Sequence, residues 1–223
     1  MKIIAHIKTD FPTKFGVPRQ SGVIPENRGR IVFEKDFSDP IAVRGLKDFS
    51  HIWVIWEFSK AKTKTWSPTV RPPLLGGNKR MGVFATRSPY RPNPIGLSVL
   101  KLEDIIYSAE NGAELIVSGC DMMDGTPIYD IKPYLPYADS IKDAVGGFTE
   151  TLAERKLTVK IDDNILKKIP EAKKSTLMAV LESDPRPSYQ NDSERVYGFE
   201  FAGFEVKFFV DNKIVTVVSI EKL

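Results

Sequence analysis

The fold is indicated first by one stretch of sequence, His51-Ile52-Trp53-Val54-Ile55-Trp56-Glu57-Phe58. Its β-branched and aromatic residues favour a strand, and both faces are apolar, so we expect this strand to be buried on both sides. Other segments of similar composition are residues 3–7, 30–33, 81–86, 97–107 and 115–120. Few helical patterns separate these segments. The pattern therefore favours an antiparallel sheet or barrel over a doubly wound α/β fold.

The connections between the expected strands are rich in proline and glycine. Two examples are Pro72-Pro73-Leu74-Leu75-Gly76-Gly77 and Pro89-Tyr90-Arg91-Pro92-Asn93-Pro94. Proline fixes φ and lacks a backbone N–H group, so these stretches are poor helix formers. We expect rigid, extended loops between the strands.

The composition changes near Gly146-Gly147, which marks a domain boundary. Two short helical patterns follow, one from Asp163, as the N-cap, to residue 169 and one over residues 173–181. Alternating apolar residues at 204–210 and 214–220 flank Asp211-Asn212 and predict a β-hairpin. We therefore expect two domains: residues 1–145, mainly β, and residues 146–223, a small α+β domain.

Several classes of protein are excluded by what the sequence lacks. The single cysteine, Cys120, cannot form an internal disulfide, and one Cys with two His makes a structural metal site unexpected. No apolar stretch approaches the length of about twenty residues that spans a membrane. The glycine motifs of dinucleotide-binding folds, P-loop enzymes and α/β-hydrolases are missing. We expect a cytoplasmic protein that binds no membrane.

The basic residues are unevenly distributed, although the net charge is only +3. The span from residue 60 to residue 101 has nine basic residues and no Asp or Glu. These are Lys60, Lys62, Lys64, Arg71, Lys79, Arg80, Arg87, Arg91 and Lys101. One interpretation is a solvated surface whose charges pair with acids from other segments. The other is a cradle for phosphates, because local charge steers a polyanion.

Three loops combine rigidity with chemically active side chains. They are Phe11-Pro12-Thr13-Lys14-Phe15-Gly16-Val17-Pro18-Arg19-Gln20; Gly82-Val83-Phe84-Ala85-Thr86-Arg87-Ser88-Pro89-Tyr90-Arg91-Pro92-Asn93-Pro94-Ile95-Gly96-Leu97-Ser98; and Asp121-Met122-Met123-Asp124-Gly125-Thr126-Pro127-Ile128-Tyr129-Asp130-Ile131-Lys132-Pro133-Tyr134. They could be three ordinary turns. Stiff loops loaded with Arg, Asp and Tyr are more typical of a binding or catalytic site.

These three stretches resemble the signature segments of the TsaA-like (TrmO) tRNA methyltransferases. The resemblance covers roughly residues 1–140, and Ser183-Asp184-Pro185-Arg186-Pro187-Ser188-Tyr189 is similar to a motif in the C-terminal domain of bacterial members. It implies a single-sheeted β-barrel, unlike the Rossmann fold, that binds S-adenosylmethionine, usually as a homodimer with the cofactor near the subunit interface. It also implies methyl transfer to N6 of N6-threonylcarbamoyladenosine beside the anticodon.

The resemblance also implies a set of cofactor contacts. Carried onto this chain, they are Pro18, Arg19, Gln20, Ser59, Lys60, Arg87, Leu97, Asp124, Gly125, Thr126 and Pro127. An arginine fork suits the carboxylate of the cofactor, and Arg19 or Arg87 could supply it. Asp124, or the backbone at residues 124–126, suits the cationic groups, and Leu97 suits the adenine.

Catalysis of this reaction requires a proton acceptor, because the acceptor N6 is urea-like and must lose its proton. We expect Asp124 or Asp130 to accept that proton, and Tyr90 or Tyr134 to orient the base. The alternative is that these aspartates only brace their loop.

The tRNA is expected to bind along the acid-free span. Lys79, Arg80 and Arg91 are expected to hold the anticodon arm, with Arg71 behind them and Tyr90 stacked on a base. Arg91 or Lys132 would bind the threonyl carboxylate, and Arg186 with Tyr189 would form a second RNA contact. Two rival hypotheses are a non-catalytic RNA-binding module and a methyltransferase that uses the same cofactor on a non-RNA substrate.

Overall fold

A computed structural model describes residues 1–61, 65–150, 156–186 and 192–223. Six strands of the N-terminal part form one closed antiparallel barrel in the order β1-β2-β7-β6-β3-β8. They are β1 (Ala5–Lys8), β2 (Arg28–Phe33), β3 (His51–Glu57), β6 (Ile95–Ser108), β7 (Gly112–Ser118) and β8 (Pro127–Pro133). The pairing of Ala5 with Ile128 closes the barrel. The expected single-sheeted barrel is confirmed.

A short ribbon stands outside the barrel. It consists of β4 (Thr69–Val70) and β5 (Met81–Gly82), and it belongs to the acid-free basic span. The prediction of one strand over residues 81–86 was wrong, because a 3-10 turn at Val83–Ala85 follows the two strand residues. The ribbon and this turn lead into the proline-rich connection before β6.

The structure differs from the sequence-based expectation at two strands, β3 and β8. The interior of the barrel receives Ile52, Val54 and Trp56 from β3, whereas the alternate residues are only half-buried, so β3 is not buried on both sides. A barrel has one interior, and its outer face is partly covered by loops. Strand β8 was not predicted, because Pro127 and Pro133 are unusual in strands; both stand at its ends, where a missing N–H costs least.

The C-terminal part contains a four-stranded mixed sheet in the order β10-β11-β12-β9. Its strands are β9 (Thr158–Lys160), β10 (Tyr197–Phe201), β11 (Phe204–Asp211) and β12 (Ile214–Lys222). The predicted hairpin is confirmed, with Asn212 at φ 54° in the turn. Helix α1 (Pro136–Asp139) follows the barrel, and α2 (Asp163–Leu166) and α3 (Glu171–Glu182) pack with the sheet. The N-cap of α2 is Asp162, one residue before the predicted cap.

The described residues form two hydrophobic clusters. One fills the barrel, and the other lies between α3 and the C-terminal sheet. The second cluster also includes Phe11 and Ile24, with Phe15 and Val17 packed against it, all from the connection between β1 and β2. The two-domain division at residue 145 therefore stays a prediction, with one N-terminal segment packed into the C-terminal core. No helix among the described residues is long and apolar enough to cross a membrane.

Strand order brings the three signature loops to one end of the barrel. We call residues 9–27 the first loop, residues 83–94 the second loop and residues 119–126 the third loop. The first loop leaves β1 and enters β2, the third leaves β7 and enters β8, and the second enters β6. Because neighbouring strands are antiparallel, all of these strand ends lie at the same mouth of the barrel.

Candidate active site

The first and third loops are joined by hydrogen bonds centred on Asp124. Its Oδ1 accepts the amide N–H of Thr9 at 3.0 Å, and its own N–H donates to the carbonyl of Phe11 at 2.8 Å. The next amide, of Gly125, donates to Ile7 at 2.8 Å. Gly125 has φ 73°, a left-handed conformation that favours glycine. The exposed carboxylate of Asp124 is thus fixed at the mouth of the barrel.

The other two predicted cofactor contacts of this segment, Thr126 and Pro127, are buried under the third loop. Thr126 is buried, and its hydroxyl donates to the carbonyl of Met123 at 2.8 Å. Pro127 is buried where β8 begins. These two residues shape the loop, while Asp124 and Gly125 form its exposed surface.

The first and second loops are joined through Gln20. The guanidinium Nη1 of Arg87 donates to Gln20 Oε1 at 2.5 Å, and Gln20 Nε2 donates to the carbonyl of Arg19 at 2.6 Å. Pro18, before them, is buried. The exposed Arg87 is therefore held toward the first loop, as a cation at the same mouth as Asp124.

The guanidinium of Arg19 is directed to the C-terminal part of the chain. Its Nη2 donates to the carbonyl of Arg186 at 2.6 Å and more weakly to that of Asp184 at 3.4 Å. Of the two arginines predicted to bind a carboxylate, Arg87 is therefore the better placed.

Asp121 lies at the same mouth of the barrel, although sequence reasoning did not select it. Its Oδ1 accepts the hydroxyl of Ser98 at 2.7 Å, and Ser98 Oγ accepts the indole N–H of Trp56 at 2.9 Å. Burial raises the pKa of Asp121 to about 6, against the opposing effects of the Ser98 hydrogen bond, backbone N–H groups and the nearby charge of Arg87. A partly buried carboxylate with a raised pKa at this mouth is a candidate functional group. The sequence signal was its place opening the third signature segment, but sequence alone did not show its burial.

Leu97 and the pair Ser59-Lys60 complete the predicted cofactor set. Leu97 is an exposed apolar side chain, 56% accessible, beside Ser98 on β6. Ser59 and Lys60 are exposed just after β3, and the carbonyl of Lys60 accepts Lys14 Nζ of the first loop at 2.7 Å. The structure thus brings the predicted cofactor residues to one end of the barrel.

Some predicted residues lie away from that mouth. Asp130 and Lys132 lie farther along β8 and pair with each other at 2.8 Å. Tyr134 follows the other end of β8, where it contacts the rings of His51 and Trp53. Tyr134 is therefore not brought to the mouth, and the proposed orienting role falls to Tyr90.

Strand β8 itself contains Tyr129, whose hydroxyl is held by a carboxylate. Tyr129 is placed at a bulge opposite β3, and its hydroxyl is hydrogen-bonded to Glu57. That hydrogen bond, with burial and the negative charge of Glu57, raises the pKa of Tyr129 to about 12. The phenol therefore stays protonated at neutral pH.

Three of the residues predicted to bind tRNA are exposed in the connection from β3 to β6, which begins and ends at the mouth. Arg71, Lys79 and Arg80 are exposed on or near the ribbon, where Arg80 Nη1 donates to Thr69 Oγ1 at 2.8 Å. In the second loop, Tyr90 is 52% exposed, and the guanidinium of Arg91 lies 5.9 Å from the ring of Phe84. Lys62 and Lys64 lie outside the described residues.

The two predicted RNA contacts of the C-terminal part have different outcomes. Arg186 is only 6% exposed and forms a two-pronged ion pair with Asp184, through Nε at 2.8 Å and Nη2 at 3.0 Å. Such a buried guanidinium is poorly placed to reach RNA. Tyr189 lies outside the described residues.

Comparisons with known proteins show which family the chain is similar to. The family model for the tRNA-methyltransferase O N-terminal domain matches residues 6–140, and that for the TrmO C-terminal domain matches residues 154–223. A tRNA (adenine(37)-N6)-methyltransferase of Escherichia coli K12 is 36% identical over 98% of this chain and 96% of its own length. A protein of the same name from Eikenella corrodens is 42% identical over 77% of this chain and 97% of its own length.

Solved structures give the same result. A crystal structure of TrmO from Pseudomonas aeruginosa superposes with a TM-score of 0.78 and 30% sequence identity, covering 99% of this chain and 95% of the other. Sequence, domain order and fold agree over nearly the whole length. The chain belongs to the TrmO family of tRNA methyltransferases.

Proposed function

We propose that this enzyme transfers a methyl group from S-adenosylmethionine to N6 of N6-threonylcarbamoyladenosine at position 37 of tRNA. The observation that carries the proposal is the meeting of the three signature loops at one mouth of the barrel. Hydrogen bonds connect Arg87 to Gln20, Asp121 to Ser98 and Asp124 to Thr9. An exposed basic surface lies in the same part of the chain, on the ribbon and the second loop.

The chemistry of these side chains fits S-adenosylmethionine. When bound, this cofactor supplies a methyl group on a positively charged sulfur. Arg87 would bind its carboxylate, and Asp124 with the neighbouring backbone carbonyls would bind its cationic groups. The exposed Leu97 offers an apolar surface for the adenine. Names of relatives point the same way, since a Pseudomonas aeruginosa protein 36% identical over 91% of this chain is called a putative S-adenosylmethionine-dependent methyltransferase.

The protein residues have to position the acceptor nitrogen and remove its proton. We favour Asp124 over Asp130 as the acceptor of that proton, because Asp124 is fixed at the mouth, whereas Asp130 is paired with Lys132 farther along β8. Tyr90, exposed in the second loop, would stack on the base. Arg91, rather than Lys132, would bind the threonyl carboxylate, since it belongs to the same loop.

The polyanionic substrate explains the basic surface. Arg71, Lys79 and Arg80 would contact phosphates of the anticodon arm, where nonspecific charge gives most of the affinity.

A cytoplasmic location and a homodimer are parts of the same proposal. Exposed apolar side chains near the mouth, including Val23, Phe84 and Leu97, offer a surface that a second copy could cover. Light scattering of the purified protein would give the molar mass.

Mass spectrometry of tRNA nucleosides tests the proposal in cells. In cells that lack this protein, threonylcarbamoyladenosine should accumulate without its N6-methyl group, and expression of the protein should restore the methylated nucleoside. A nucleoside profile that does not change with deletion would contradict the proposal.

A further inference from the structure

The first loop, which carries three predicted cofactor contacts, is fastened to the C-terminal part of the chain. Phe15 and Val17 pack against the second hydrophobic cluster. Lys173 on α3 forms an ion pair with Asp10 at 2.5 Å. The loop is therefore held from the side of the C-terminal sheet as well as by the barrel.

A second polar link between the two parts is made by Arg19. Its guanidinium donates to the carbonyl of Arg186 at 2.6 Å and approaches that of Asp184 at 3.4 Å. A cation that donates to a carbonyl forms a charge-assisted hydrogen bond, which is stronger than a neutral one. Arg19 thus fixes the first loop to a turn more than a hundred residues away in sequence, at residues 184–186.

That turn is itself made rigid by its own side chains. Asp184 has φ 53°, a left-handed conformation, and its two carboxylate oxygens accept Nε and Nη2 of Arg186 at 2.8 and 3.0 Å. The guanidinium of Arg186 also lies 5.9 Å from the ring of Tyr197. The side-chain fork therefore sets where the carbonyl of Arg186 points.

The link continues from Arg19 to the second loop. Gln20 Nε2 donates to the carbonyl of Arg19 at 2.6 Å, and Gln20 Oε1 accepts Nη1 of Arg87 at 2.5 Å. A continuous chain of hydrogen bonds therefore runs from the Asp184–Arg186 fork to the cation at the mouth of the barrel.

We propose that the turn at residues 184–186 positions the cofactor-binding loop, so that Arg186 sets cofactor affinity through Arg19, Gln20 and Arg87 without touching cofactor or RNA. The inference rests on the proposed function, because it concerns the same loops at the mouth of the barrel. Arg186 and Asp184 are positioning residues in this account. Their role replaces the RNA contact that the sequence predicted for Arg186, whose burial and ion pair leave it poorly placed for a phosphate.

The test is the binding of S-adenosylmethionine and S-adenosylhomocysteine, measured by isothermal titration in the absence of RNA. Arg186→Ala should weaken binding of both by roughly tenfold or more, because it removes the charge-assisted fork that orders the turn holding Arg19. Arg195→Ala is the matched control, since Arg195 also lies over Tyr197, at 5.3 Å, but is exposed. It should bind as the wild type does.

A second variant keeps the test valid if Arg186→Ala fails to fold. Asp184→Asn removes the charge from the fork, while asparagine tolerates the left-handed backbone at this position. It should also weaken cofactor binding, and amide hydrogen exchange of residues 19–22 should become faster.

The double variant Arg19→Met with Arg186→Ala shows whether the two residues act through one link. Its loss of affinity should be no larger than that of the more affected single variant. The inference is overturned if Arg186→Ala folds, binds both cofactor forms within twofold of wild type and loses only tRNA affinity. If the wild type itself binds neither cofactor form, the proposed function fails and the inference fails with it.

Discussion

At the residue scale, the site depends on two aspartates of the third loop that do different work. Asp124 is exposed at the mouth and braced by the amide of Thr9. Asp121 is partly buried, accepts the hydroxyl of Ser98 and lies near the charge of Arg87. The sequence showed both residues in one signature segment, but only the fold shows which one faces solvent.

Asp124→Asn separates a proton acceptor from a brace. Asparagine can still accept the N–H of Thr9, so the loop should keep its shape, while the loss of negative charge should weaken cofactor binding. If Asp124 accepts the N6 proton, kcat should fall by about tenfold or more. Single-turnover methylation with saturating cofactor measures this. Unchanged turnover would exclude Asp124 as the proton acceptor.

Asp121→Asn tests whether the buried charge of Asp121 lowers the stability of the protein. The pKa of Asp121 is raised from its ordinary 3.8 to about 6, so ionising it destabilises the fold as the pH rises through that range. Removing the charge should raise Tm at pH 8 relative to wild type, and the difference should vanish near pH 4. Thermal melts at both pH values measure it. A variant that is less stable than wild type at pH 8 would contradict the assigned burial cost.

At the element scale, strands were predicted well where their composition and their alternation of apolar and polar residues both indicated a strand. The hairpin of β11 and β12 alternates cleanly, because one face is buried. Strand β8, which closes the barrel, was not predicted because the two prolines at its ends are unusual in strands. The convergence of the three loops also could not be read from composition, since it depends on strand order. The family resemblance supplied the barrel that composition left open.

The docking of the first loop onto the C-terminal sheet gives a prediction at this scale. A Cβ added at Gly16 would lie 2.6 Å from Cδ2 of Phe199, and φ there is 94°. Gly22 shares a positive φ, 76°, but nothing lies within 4 Å of an added Cβ. Gly22→Ala should cost about 1 kcal/mol of unfolding free energy, the penalty for a left-handed alanine.

Gly16→Ala should cost about 2 kcal/mol more than Gly22→Ala, because the Phe199 ring must also move. Urea denaturation gives both values. Equal costs for the two variants would mean that the loop does not dock as described.

At the scale of the whole molecule, two sets of exposed basic residues lie toward opposite ends of the barrel. The exposed Arg71, Lys79 and Arg80 lie on the basic span near the mouth, whereas Lys35, Arg44 and Lys47 are exposed in the connection between β2 and β3. That connection lies at the opposite end of the barrel. The two sets offer equal charge changes at opposite positions.

Replacing Arg71, Lys79 and Arg80 by glutamine should weaken tRNA binding and reduce its log–log salt slope by about 2 to 3, if each residue contacts one phosphate. The same replacement of Lys35, Arg44 and Lys47 should leave the slope unchanged. Filter binding over a range of salt concentrations measures both. A slope that changes equally in the two variants would place the RNA elsewhere.

The most direct test of the central claim is methyl transfer by the purified protein. S-adenosylmethionine with a labelled methyl group is supplied with tRNA that carries either threonylcarbamoyladenosine or plain adenosine at position 37. The account predicts label on N6 of the modified nucleoside and loss of that label when Arg87 is replaced by alanine. Equal labelling of both tRNAs, or no labelling of either by a folded protein, would contradict it.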